Sequence, residues 1–285
     1  MRYTVVMPTQ AAHPDLPQRP LTRALARPRA IAFACIAVLV ASGWIYLGLL
    51  LAGERADTLF AALCRPTYGL GDLSALSLAL AFAMWCAMAL AMMLPTAGPM
   101  IMTYADLAQT AVEKGEPAAS PVWLTAGYVA VWLAAAFGLA SLQAMLAGFG
   151  LLDNVMSVAS PLFAGALFLL AGAYQFSGLK HACVTQCQRP FPFFLANWTA
   201  DPRGVLRIGL TQGFYCLGCC WAMMLLMFAV GVMSVVWMAL IGAIMATEKV
   251  MTTTRFSRAI GAPFCLIGLA VIVSAVIGHW PAKLT

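Results

Sequence analysis

The sequence predicts an all-α fold, a polytopic transmembrane helix bundle of about seven spans with its N-terminus in and its C-terminus out, and three observations carry that prediction. Hydrophobic residues make up 63% of the 285 positions and charged residues 9%, whereas soluble domains carry about 25% charged residues. The apolar residues come in blocks of ~20 separated by short polar breaks, and ~20 residues is the length at which a helix crosses a bilayer with its backbone satisfied internally. Thirteen of the 16 lysines and arginines fall on one side of such a bundle, the asymmetry expected of cytoplasmic loops. The net charge of +6 is explained by this bias, so nucleic-acid binding is not predicted, and the lipid bilayer is the first partner.

Residues 1–29 hold Pro8, Pro14, Pro17, Pro20 and Pro28 among Arg2, Arg19, Arg23, Arg27 and Arg29 and show no apolar periodicity. They read as a disordered basic cytoplasmic tail. The apolar block at residues 30–52 is longer than the core of a signal peptide and reads as a retained anchor, so that residues 30–285 form the transmembrane bundle. Six further spans follow at about residues 74–103, 122–147, 161–179, 205–231, 234–252 and 262–280. Residues 208–246 are almost continuously apolar, too long for one crossing, and Gly231 to Ser234 offers the turn that divides them. The Asn197-Trp198-Thr199 sequon then lies on the cytoplasmic side and is accidental. These features make the chain a multi-pass protein, expected in an inner membrane with the basic side facing the cytoplasm.

The fifth span, from Gln212 through Met227, carries the chemistry. At ~100° per residue, Gln212, Cys216, Cys219, Cys220, Met223 and Met227 fall within about 100° of arc. Cysteine and methionine also pack well in plain helices, with Gly209, Gly213 and Gly218 admitting a close neighbour. Three cysteines on one face go beyond packing, because thiolate and thioether are the soft ligands that select Cu(I). Nine cysteines is an odd number, and their placement in spans or on one side argues against a secreted-type disulfide framework.

Span two repeats the sulfur theme, with Met84, Met88, Met92 and Pro95 on one face. Pro95 and Pro99 are expected to break or kink it near its inner end. The segment from Lys180 to Pro190 reads as a loop with Cys183 and Cys187 spaced C-x3-C beside His181, a spacing that chelates if the loop turns. Glu248 and Lys249 close span six and read as an interfacial ion pair with the lysine snorkelling to the surface. A short echo, Ala91-Met92-Met93-Leu94 and Ala222-Met223-Met224-Leu225, lies three helices apart, as inverted repeats do, but four residues are slender support for one.

Together, Ala91-Met92-Met93-Leu94-Pro95, Ala173-Tyr174-Gln175, Leu179-Lys180 with Cys183 and Cys187, Tyr215-Cys216-Leu217-Gly218-Cys219-Cys220-Trp221, Gly231-Val232-Met233 and Glu248-Lys249 resemble a bacterial family of predicted metal-binding integral membrane proteins, a domain of unknown function. The resemblance covers about residues 80–250 and implies a metal-associated role. In that family His-Gly often precedes the Tyr-Cys string. Here the pair is Gln212-Gly213, so a nitrogen ligand is missing and a sulfur-richer set is expected. Ser234 stands where asparagine often follows Gly-Val-Met.

The first reading is therefore a protein that binds a soft transition metal ion, copper rather than zinc, for transport or delivery, with a metal-donor or metal-acceptor protein as partner. Cys216, Cys219 and Cys220 would be primary ligands, Met88, Met92 and Met223 a transfer stripe between spans two and five, and Cys183 with Cys187 a cytoplasmic donor or acceptor pair. Two rivals are a membrane thiol-disulfide oxidoreductase and a scaffold subunit whose sulfur merely packs. Catalytic residues are not singled out, and a non-enzymatic role is favoured.

Overall fold

The computed structural model describes residues 75–152, 158–232, 234–251 and 253–277, with scattered helical positions between 34 and 48. The basic tail lies outside the described residues, as do the C-terminal eight and most of the first predicted span. Among the described residues the fold is all-helical, with one isolated bridge between Leu152 and Val158. The helices are α1 (Ala75–Glu113), α2 (Pro121–Gly148), α3 (Pro161–Tyr174), α4 (Gly178–Gln188), α5 (Pro190–Ala196), α6 (Pro202–Val230), α7 (Val235–Val250) and α8 (Thr254–Val276).

Starts of these helices are written in the sequence. Ser120, Ser160, Ser177 and Asp201 each accept a backbone N–H from the first turn they precede, the usual way to satisfy donors with no intrahelical partner. Proline follows at the first position of α2, α3 and α6, where its missing N–H costs nothing. The predicted turn between spans five and six is present, with Gly231 at φ 93°, a conformation that suits glycine.

Four described helices are long and apolar enough to cross a membrane, or five if α3 and α4, bent by 63°, make one crossing. The count of seven is not reproduced. One reason is that residues 30–52 are largely undescribed; the other is that α7 has 16 residues, a rise of ~24 Å against a hydrocarbon core of ~30 Å. The predicted break at Pro95 and Pro99 is also absent: α1 runs through both prolines for 39 residues. Nearby hydroxyls meet the carbonyls of that stretch, Thr96 Oγ1 donating to Met93 O at 2.8 Å and Thr103 Oγ1 to Pro99 O at 2.7 Å.

The core is built on two glycine contacts. Helix α6 packs most extensively on α2, where a Cβ on Gly209 would overlap the Leu124 carbonyl and one on Gly127 would overlap the Leu206 carbonyl. Such close approach to a neighbouring carbonyl is possible only where the facing residue lacks a Cβ. Helices α3 and α8 meet in the same way through Gly165 and Gly268 and through Gly172 and Gly261. Helix α6 thus packs more extensively on α2 than on α1, which still reaches it through side chains, Trp85 against Phe228 and Met93 Sδ 3.8 Å from Cys220 Sγ. Met84, Met88 and Met92 are nonetheless buried in the bundle.

Candidate metal centre

Helix α4 changes how the second pair of cysteines must be read. The segment expected to be a loop is helical from Gly178 to Gln188 and capped by Ser177, so Cys183 and Cys187 stand four residues apart on one face. That face lies on α6. The Cys183 sulfur rests against Gly218, where an added Cβ would stand 2.8 Å away, and Tyr174, just before the bend, donates to the Gly218 carbonyl. One turn further along, Cys187 lines the same recess as Cys216 and lies within interaction range of the Cys219 thiol. The Cys219 thiol also meets those of Cys216 and Cys220.

The sulfur face of α6 is inside the bundle, with Cys216 2%, Cys219 3% and Cys220 1% exposed. Cys216 holds the centre. Its Sγ lies 2.9 Å from the Tyr128 hydroxyl of α2 and receives the Lys249 ammonium of α7 at 3.0 Å. Tyr128 also contacts the Met93 carbonyl at 3.1 Å, and Lys249 also donates to Thr96 Oγ1. Cys219 and Cys220 donate to the Cys216 carbonyl at 3.1 and 2.9 Å, which turns both thiols along their own helix. Consistent with that orientation, no three His, Cys, Asp or Glu side chains among the described residues already converge as a metal cage.

Methionine completes the cluster from an unexpected position. Cys220 Sγ lies 3.8 Å from Met93 Sδ, whereas Met92 Sδ packs on Gly242 of α7. Met88 is wholly buried one turn before Met92. Met223 accepts a hydrogen bond from Gln175 Nε2 at 3.4 Å, at the bend between α3 and α4. A small, partly open recess reaches this cluster, lined by Thr96, Ala97, Met100, Tyr128, Cys187, Gln212, Cys216 and Lys249.

The reading of Glu248 and Lys249 as an interfacial pair is corrected. Glu248 pairs with Lys180 of α4 at 2.8 Å, the two side chains being 3% and 1% exposed, and Lys249 points inward to Cys216 rather than outward to water. Sequence reasoning missed Tyr128, Met93, Thr96 and the inward course of Lys249. Two of them carried a signal, Lys249 in the Glu248-Lys249 pair and Met93 in the Ala91-Met92-Met93-Leu94 string.

The donor set fits a soft monovalent ion better than a hard one. Thiols and thioethers surround the cluster, while the buried carboxylate of Glu248 is bound to Lys180, and thiolate and thioether ligands select Cu(I). The model of a family described as PpoB2, copper chaperone, matches residues 82–271, a stretch that contains every cysteine, methionine and lysine just described. Neither a curated protein nor a solved structure matches the chain. The family match spans two thirds of the sequence, so this chain belongs to the PpoB2 copper chaperone family, and its chemistry is copper handling.

Proposed function

We propose that the protein is embedded in the bacterial inner membrane and carries Cu(I) on the sulfur cluster between α2, α4 and α6, handing it to a cuproprotein acceptor. The observation that carries this reading is the gathering of thiols about Cys219 of α6, with Cys187 of α4 on one side and Cys216 and Cys220 of its own helix on the other, and Met93 Sδ 3.8 Å from Cys220 Sγ. Cys219 and Cys187 would hold the ion across the two helices, Cys216 and Cys220 would exchange with them, and Met93 and Met223 would serve as weaker donors for transfer. Binding requires the thiols of Cys219 and Cys220 to rotate off the Cys216 carbonyl. That exchanges one weak hydrogen bond each for a metal bond and releases protons.

Cu(I) is the cargo here, and the recess beside Cys216, Lys249 and Gln212 offers its path. The test is copper bound per chain after anaerobic loading of purified protein with Cu(I). Cys219→Ser is expected to lose most of the copper and Cys265→Ser, whose sulfur packs against Gly172 between α3 and α8, to keep it. Equal loss in both variants, or none in either, would refute a site on α6.

The contact of Cys187 with Cys219 also favours a second reading, a thiol-disulfide pair that spans α4 and α6. It predicts two fewer free thiols per chain after oxidation, restored by reductant, and no copper requirement. Retained copper in the reduced protein separates the two.

A further inference from the structure

Glu248 and Lys249 are neighbours near the end of α7, yet they reach different elements because a helix turns ~100° per residue. Lys249 goes to Cys216 of α6 and Thr96 of α1. Glu248 Oε2 takes the Lys180 ammonium in the first turn of α4 at 2.8 Å. At the last residue of α4, Gln188 Nε2 donates to two carbonyls at the end of α7, Glu248 O at 2.8 Å and Met251 O at 2.6 Å. Helix α4 is therefore fastened to α7 at both ends, and Cys183 and Cys187 lie between the fasteners. Its direction is not inherited from α3, since the two are bent by 63°.

Stability alone does not account for this arrangement. A buried ion pair gains little over an apolar pair of similar volume, because desolvation offsets the attraction. What it does supply is a register, as opposite charges and a two-carbonyl clamp admit one placement of α4 on α7. We propose that Lys180, Glu248 and Gln188 are positioning residues that hold the Cys183–Cys187 arm so that Cys187 faces Cys219 and completes the Cu(I) site. This rests on the Cu(I) reading above. The Glu248-Lys249 pair then serves both halves of the site from one helix end, Glu248 setting the arm and Lys249 contacting Cys216.

The experiment measures Cu(I) affinity of the full chain, by competition with a Cu(I) chelator, together with the number of sulfur neighbours of copper by X-ray absorption. Two changes are compared: Lys180→Met with Glu248→Leu, which removes both charges and leaves neither stranded, and Gln188→Leu. Each is made in the wild-type and in the Cys187→Ser background. In the wild-type background each is expected to weaken binding about tenfold, ~1.4 kcal/mol, and to remove one sulfur neighbour. In the Cys187→Ser background neither changes affinity further, because the donor they position is gone. Equal loss in both backgrounds, or no loss in either, overturns the positioning role. Should the paired replacement fail to fold, Gln188→Leu at the half-buried end of α4 decides the matter by the same comparison. Wild-type affinity in both Cys187→Ser and Cys219→Ser overturns the Cu(I) reading beneath it, a result distinct from either of the others.

Discussion

Replacing Gly209 by alanine tests the contact that sets the site. A Cβ there would overlap the Leu124 carbonyl oxygen and lie 3.0 and 3.1 Å from the Leu124 carbonyl carbon and Cα. These are backbone atoms and cannot rotate away, so α2 has to shift off α6. Overpacking costs ~1–3 kcal/mol and a backbone clash belongs at the upper end, while alanine returns up to ~1 kcal/mol of helix propensity. The net loss is about 2 kcal/mol, a fall in melting temperature of roughly 4–8 °C for a chain of this size. Gly138→Ala on α2, where no atom lies within 4 Å, receives the propensity gain alone. Thermal unfolding of the two variants in one detergent measures the difference. Because Tyr128 follows Gly127 in the same contact and lies 2.9 Å from Cys216, Gly209→Ala is also expected to weaken copper binding. A Gly209→Ala protein that melts at or above Gly138→Ala would refute the backbone contact.

Other outcomes follow from the same geometry. Tyr128→Phe removes the hydroxyl shared by the Met93 carbonyl and Cys216, and is expected to cost about 1 kcal/mol in unfolding experiments; an unchanged melting curve would show that the bridge contributes nothing. If α2, the α3–α4 pair and α6 each cross the bilayer, reporters inserted after Glu116 and after Asn197 are expected on the same, cytoplasmic, side. Readings on opposite sides would mean that the bent pair turns back instead of crossing.

The long helices were legible because apolar blocks of ~20 residues leave few alternatives. Helix α4 was not, since Gln186, Gln188, Arg189 and Pro190 give it the composition of a loop, and the cap at Ser177 was the one sign of its start. Periodicity placed Cys216, Cys219, Cys220 and Met223 on one face, and all four are buried. What periodicity cannot supply is the identity of the covering helix. Sulfur content pointed to the methionines of α1, whereas closeness of approach is decided by Gly127 and Gly209, and these select α2. The same limit explains Met93. It lies ~100° from the stripe of Met84, Met88 and Met92, yet it is the methionine whose sulfur stands beside Cys220.

Charge balance in the interior bears on which ion such a cluster would hold. Lys180 and Glu248 neutralise each other, which leaves the Lys249 ammonium, 3.0 Å from Cys216, as the cation at the sulfur cluster. Thiols bind metal as thiolates, and a buried charge without a counter-charge is costly. Two thiolates match one monovalent copper ion together with Lys249, and the site as a whole is neutral. A divalent ion held by the same two thiolates leaves an excess positive charge, and balancing it calls for a third thiolate. The inward course of Lys249 thus favours the same ion that sulfur softness selects, a monovalent one.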